Sequence, residues 1–405
     1  MTNPHFTSPD APPDERPFYL ALLLSGLVTA IGIAAAFYME HAGHQVSGMT
    51  NQVFWGLPHV FGIFLIIAAS GVLNVASIGS VFGKKVYKPR GPLSALLAII
   101  LLAAGLMIIM LDLGRADRVI IAMTYVNLTS VFGWNMILYP VFFGLVGLYL
   151  WSLLDRGMHG YTRAIGTAAF IWRLVMTTGT GLIFGFIVAR QAYHSAVLAP
   201  LFIIMSFVWG LAIFLIAQRI MYARNNAVLH PEIRARMKNL LGVFIAAGAY
   251  FVAVYYLTNI YYAKQTDFVS FILLSGGVFP WLFWGGFVLL GTVIPLLLLY
   301  VPSLGQAKGS VSLASVLVIV GGLFLLFVLI IGGQAYPLDM FPGMQVSSSF
   351  FDGAIATYTP SLPEILLSLG GVSLVFAATL VGARVFDLMP KDDLAKLQSA
   401  GYLHD

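Results

Sequence analysis

Long apolar runs, each bounded by polar residues or by Gly and Pro clusters, recur along the chain at 17–39, 53–81, 91–112, 127–154, 163–189, 197–221, 239–263, 271–301, 311–335 and 362–388. A helix that crosses a bilayer needs about 20 such residues, so the pattern predicts about ten transmembrane helices rather than two or three soluble domains. The runs at 53–81 and 127–154 exceed the minimum and are expected to tilt or to project beyond the hydrocarbon. No run has the polar face of a helix that lies in the membrane surface. The predicted fold class is an all-α integral membrane protein, with a polytopic membrane domain over 17–388 between short tails at 1–16 and 389–405. The first tail has no basic n-region and no small-residue cleavage motif, so it reads as a disordered tail and not as a signal peptide.

Composition sharpens this picture. Hydrophobic residues make up 60% of the chain and charged ones only 9%, far from the balance of a soluble domain. Cysteine is absent, so any iron-sulfur cluster with thiolate ligands must belong to a partner. The net charge of +5 is explained by insertion topology and gives no reason to expect a nucleic acid. Of the 21 Lys and Arg, only Arg115, Arg118, Arg190 and Lys264 fall in loops on one side, and Arg173 alone falls inside a span. The rest lie on the side of the termini, which predicts cytoplasmic N- and C-termini. The loop 336–361 on the opposite, trans side is long and suits a lid, a docking surface or an ordered cap.

Charge inside a membrane is costly, by about 2.5–3.5 kcal/mol at the centre, so the exceptions carry the candidate chemistry. His59 lies a short way into the second run, after Pro58, which can loosen the local helix. It is either a structural hydrogen-bond partner to a neighbouring helix or a proton donor to a ligand carbonyl, since imidazole exchanges protons near neutral pH. Asp112 and Arg115 are three residues apart at the end of the third run, as are Arg115 and Arg118, and this spacing predicts a shared helical face. That face is either an interfacial ion pair or a proton relay. Asn127 and Ser130 sit at the entrance of the fourth run, where Asn127 can cap the helix; Trp134 can anchor it at the interface. Arg173 falls near mid-membrane with no carboxylate at its depth, leaving backbone carbonyls, hydroxyls such as that of Thr177, or water as partners. Glu364 is shallow, and the chain of mid-membrane carboxylates that an ion pump favours is missing. His59 is the only histidine within a run, so a haem held by two helix-borne histidines is excluded, although one using His59 and a loop histidine stays open.

The segments WGLPHVFGIFLIIAASG at 55–71, LDLGRADR at 111–118 and NLTSVFGWN at 127–135 resemble, in order and spacing, the polysulfide-reductase membrane-subunit (NrfD-like) family. Within it, the ten spans and the stretch FGWNMILYPVFFGLVGLYLW at 132–151 look most like the subgroup that includes DsrP of sulfur-metabolising prokaryotes and its HmcC-type relatives. The family motif usually reads Asp-Leu-Gly-Arg-Pro, and Ala116 stands at the proline position here.

The resemblance implies a core of two four-helix bundles with flanking helices, free of haem. It implies a quinone, menaquinone or ubiquinone, bound in the first bundle, and electron exchange with a periplasmic, ferredoxin-like iron-sulfur subunit docked on the trans loops. Further membrane and cytoplasmic redox subunits are expected around it. His59 occupies the position of the family's quinone-contacting histidine; Asp112, Arg115, Asn127 and Ser130 fall on its motifs, beside Trp55 and Trp134. The family's tyrosine contact has no clear equivalent in 163–189, and Tyr193 is the nearest. The expectation is a quinone-interacting electron-transfer subunit in respiration or sulfur metabolism. A secondary transporter, with SGGVFPWLFWGG interrupting a span, a haem-bearing subunit and a purely structural anchor are the alternatives.

Overall fold

The computed structural model describes residues 15–225, 229–305, 307, 309–338, 353–386 and 388. The tails at 1–14 and 389–405, with His5 and His404, and positions 339–352 of the long loop lie outside the described residues. Ten helices are long and apolar enough to cross a membrane: α1 (Arg16–Ala42), α2 (Leu57–Ser80), α3 (Lys85–Leu111), α4 (Val131–Leu154), α5 (Arg156–Gly185), α6 (Leu198–Arg224), α7 (Pro231–Tyr261), α8 (Val278–Tyr300), α9 (Ser310–Ala335) and α10 (Leu362–Val385). No strand occurs among the described residues.

Helix ends depart from the apolar runs where local chemistry starts or stops a helix. α7 begins at Pro231, well before its apolar run, because Pro in the first turn, Glu232 behind it and the His230 ring accepting the Glu232 N–H together form a start signal. α4 begins only at Val131, since Asn127 closes a turn before it. The run at 271–301 is divided: a short helical stretch ending in Phe271–Ser275 stops at Gly276 and Gly277, where φ is +63° at Gly277. The interruption therefore lies at one end of α8. A midplane break of the transporter kind is not what these glycines make.

Helices α2 to α5 pack in a ring, as do α6 to α9, and the two four-helix bundles meet where α2 and α5 lie against α6. The α1/α10 pair flanks the first bundle against α3 and α2. Of the most apolar stretch of α2, 89% is buried within the protein, against 22% for α1, so α2 is the central rod and α1 faces lipid. Without a hydrophobic force between helices in lipid, close backbone approach is what holds them. At the joint between bundles, a Cβ on Gly71 would collide with the Ser206 carbonyl oxygen, and one on Gly210 would collide with the Gly71 carbonyl carbon. Neither site admits a side chain.

The central rod is broken at Leu73, and two neighbouring helices are responsible. The Ser94 hydroxyl of α3 donates to the Val72 carbonyl at 2.7 Å and accepts from the Ala76 N–H at 3.2 Å, inserting itself between groups that a continuous helix would join directly. One turn earlier, the Ser70 carbonyl receives the Arg173 guanidinium of α5 at 3.2 Å. Asn74 Oδ1 takes the other guanidinium nitrogen at 2.5 Å, and the rings of Phe170 and Phe207 lie 4.7 Å and 5.2 Å from the Arg173 Cζ. Thr177, considered as a partner from sequence, instead donates to the Arg173 carbonyl. The buried charge is thus met by a carbonyl, an amide and two π faces, which offset part of the cost of placing it there, while its Nε has no partner.

Candidate functional site

The end of the protein opposite the bulk of the Lys and Arg brings together the entrance of α2, the exit of α3 and the loops around them. Three long-range clamps fix the entrance of α2. Gln334, wholly buried near the end of α9, accepts the Phe54 and Trp55 N–H groups, both at 3.0 Å, and donates to the Trp55 carbonyl at 3.0 Å. Arg190, between α5 and α6, donates to the Gln334 carbonyl at 2.7 Å and to the Gln52 carbonyl at 2.8 Å. The third clamp comes from the far end of the sequence. Glu364, in the first turn of α10, reaches back to accept the Ser361 N–H at 2.8 Å and also accepts from the Gly48 N–H at 2.7 Å and the Tyr358 hydroxyl at 2.8 Å. The Tyr358 oxygen in turn accepts the Leu57 N–H at 2.7 Å, which satisfies one of the donors that a helix start leaves open. Burial, followed by the Glu364 charge, holds the Tyr358 phenol well above its ordinary pKa, so it stays a donor.

His59 therefore sits in the first turn of α2, nearer the helix end than the apolar run implies, and Pro58 occupies a first-turn position where no N–H is needed and no kink results. Its Nδ1 lies 2.9 Å from Asp112 Oδ2. The imidazole is 14% exposed and the carboxylate fully buried. Asp112 terminates α3, its N–H donating to the Ile108 carbonyl. Its Oδ1 is buried with no hydrogen-bond partner. Burial raises the Asp112 pKa, while the His59 hydrogen bond and the charges of His59 and His44 oppose the shift. The His44 ring approaches the turn after Asp112: a Cβ on Gly114 would lie 3.2 Å from His44 Cδ2. The His44 Nδ1 is also buried without a partner.

An aromatic wall completes the site. The Trp55 ring stacks on the His59 ring, centroids 6.0 Å apart at 23°. Phe184 and Tyr193 support Trp55 from α5 and the loop after it, at 5.4 Å and 6.3 Å, and Phe132 of α4 stands 6.3 Å away on the outer side. Tyr193, the one tyrosine near the expected contact, turns its hydroxyl to the Ile330 carbonyl at 2.6 Å and so braces the two bundles.

The remaining sequence candidates form a rim. Arg115 does not face Asp112. The helix ends at Leu111, so the three-residue spacing no longer describes a helical face, and the exposed Arg115 guanidinium pairs with Asp117 at 3.2 Å. Asn127 is exposed and accepts from the Thr129 N–H and hydroxyl at 3.0 Å and 2.7 Å, leaving the cap position to Ser130, whose side chain makes no cap bond. The Trp134 indole donates to the Leu128 carbonyl at 2.7 Å. Between Arg115 and Asn127, the short helix Val119–Thr124 exposes Ile120, Ile121 and Met123. Arg173 lies farther along the first bundle and takes no part in this cluster. His44, Tyr358 and Gln334 were not singled out from the sequence as site residues; the Ser361-to-Glu364 spacing is the one legible sign that the α10 clamp exists.

The arrangement can hold and transfer a proton. With Nδ1 committed to Asp112, the Nε2 of His59 is the atom left to meet a ligand oxygen, and the buried carboxylate stabilises the imidazolium that forms when it accepts a proton. Among the described residues no group of three or more metal-ligating side chains occurs.

The sequence profile described as polysulphide reductase, NrfD, matches residues 45–337. The chain is 30% identical over 382 residues to an Hdr-like menaquinol oxidoreductase integral membrane subunit of Archaeoglobus fulgidus, covering 93% of this chain and 95% of the relative. It is 27% identical to a Halobacterium salinarum protein provisionally named as a membrane subunit of dimethyl sulfoxide reductase, over 91% of this chain and 90% of that one. With a selenate reductase subunit of Mesobacillus selenatarsenatis the identity is 22%, over 86% and 89% of the two chains.

Proposed function

The chain belongs to the NrfD polysulphide reductase family, and from that premise we propose that it is the quinone-reactive membrane subunit of a multi-subunit redox complex. The observation that carries the reading is the His59–Asp112 pair at the mouth of the first bundle, with the carboxylate buried, the imidazole 14% exposed and Trp55 stacked on its ring. The two orphaned buried atoms beside it, Asp112 Oδ1 and His44 Nδ1, fit a polar ligand head. The exposed apolar side chains of Val119–Thr124 suit an entrance for an isoprenoid tail.

A bound quinol would supply two electrons and two protons on oxidation, and the reverse on reduction. His59 accepts or returns a proton at a quinone oxygen, Asp112 orients the ring and balances its charge, and Trp55 packs on the face of the imidazole. The electrons pass to or from an iron-sulfur partner, since the chain has no cysteine. We place that partner, a periplasmic ferredoxin-like subunit, on the loops at this end, with both termini in the cytoplasm, in keeping with the Lys and Arg distribution. The name of the A. fulgidus relative supports menaquinone as the quinone. A role within a sulfur-metabolising complex of the DsrP kind belongs to the same proposal.

In the assembled complex, His59→Ala is expected to lower quinol-linked reduction of the partner's clusters by about 10²-fold or more, while the subunits still copurify. Unchanged turnover in an assembled variant would remove His59 from the mechanism.

A further inference from the structure

At the opposite, basic end of the molecule a cavity of about 300 Å³ opens between the last turns of α6, the start of α7 and the start of α9. Arg219 of α6 and Arg234 of α7 line it, and neither is paired with a carboxylate among the described residues. Basic residues at this end follow from membrane insertion alone. Insertion does not account for Gln218, which also lines the cavity, is only 2% exposed, and has both Oε1 and Nε2 buried without a partner. A buried amide left unsatisfied costs about 1–3 kcal/mol, so its persistence in a walled cavity points to a ligand that supplies the missing partner. The floor of the cavity is the N-terminus of α9. Gly309 stands there at φ +99°, and Arg219 Nη2 lies 3.9 Å from where its Cβ would be. A helix start adds positive partial charge and N–H donors directed at an anion.

We propose that this cavity binds a phosphate group, with Arg219 and Arg234 as charged donors, the Gln218 amide as a neutral donor, and the first turn of α9 beneath. Guanidinium pairs match phosphate oxygens in geometry as well as charge. At the level of the membrane surface the group belongs to the headgroup of an acidic phospholipid, as in other basic pockets between transmembrane helices; a soluble phosphate compound carries the same chemistry. The site is independent of the quinone reading, being at the other end of the other bundle.

The test uses the full chain, stripped of lipid in a neutral detergent, and follows its melting midpoint and lipid retention by native mass spectrometry. Phosphatidylglycerol is expected to raise the midpoint and remain bound, and phosphatidylcholine to do neither. The Arg219→Gln/Arg234→Gln double variant and, separately, Gln218→Leu are each expected to weaken the response by about tenfold. Arg156→Gln, which removes an exposed charge from the same end, is expected to keep it. A response to inorganic phosphate but not to the lipid supports the site with a soluble source. The proposal is overturned if neither anion acts, if both site variants respond as the wild type does, or if Arg156→Gln loses as much as they do. Gln218→Leu keeps the outcome readable should the double variant fail to fold.

Discussion

The two four-helix bundles share an architecture and differ in what they bury. The first, α2 to α5, encloses Arg90 and Arg173 and ends on Asp112. In the second, α6 to α9, the buried polar side chains among the described residues are all uncharged, Gln218, Asn259 and Gln334 among them. Its wide turns over Leu282–Val293 and its tight glycine contacts serve packing. The contrast teaches that a charge in lipid persists where neighbouring elements have been bent to receive it, as α2 is at Leu73. The second bundle contributes to the site by holding it: Gln334 and the Tyr193 contact with Ile330 reach across to the entrance of α2.

The largest expected effect of substitution is on stability. Arg173→Leu takes the donors from Ser70 and Asn74 in the core and is expected to cost about 3 kcal/mol, read as a fall in melting midpoint in detergent. A loss no greater than that of a surface variant would mean that the guanidinium is not what the break in α2 accommodates.

Gln334→Leu, in the second bundle, tests the holding role. It leaves two N–H groups without an acceptor and is expected to cost about 2 kcal/mol. It should also lower quinone-linked turnover while His59 and Asp112 are intact. Normal turnover in this variant would confine the site to the first bundle.

A smaller effect separates the variants by pH. Burial holds the Asp112 carboxyl above its ordinary value, so the native state favours the protonated form. That contribution is full below the ordinary carboxylate range and is lost as pH rises through the raised pKa. Asp112→Asn lacks the dependence, so the stability of the wild type relative to the variant should decline with rising pH across that window. A difference flat in pH would show the carboxyl to be unperturbed. The smallest effect is expected from Arg115→Ala, whose exposed pair with Asp117 lies in high dielectric: melting and turnover should both stay near wild type, and a clear loss of turnover would return Arg115 to the reacting group.

Much of this organisation was legible in the sequence, and the limits have physical causes. Spans are readable because every one must supply its own apolar length and satisfy its own backbone. His59 and Asp112 stand out because polar groups in such runs are rare. Their pairing was not legible, since it joins residues on different helices. The Asp112–Arg115 spacing misled because a helical period applies only while the helix continues, and α3 stops one residue before Asp112. Gln334 and Tyr358 look ordinary in sequence; only the close approach of α9 and of the segment before α10 gives them work.

That last segment has a mechanical consequence. The oxygen that holds the Leu57 N–H belongs to Tyr358, which follows the residues matched by the family profile. The mouth of α2 is moored from the far end of the chain, two positions short of His59. Of the three clamps on that entrance it is the one that acts within the helix itself, on the first residue of α2, so a substitution at Tyr358 would loosen the turn that carries the imidazole while leaving the Gln334 and Arg190 contacts in place.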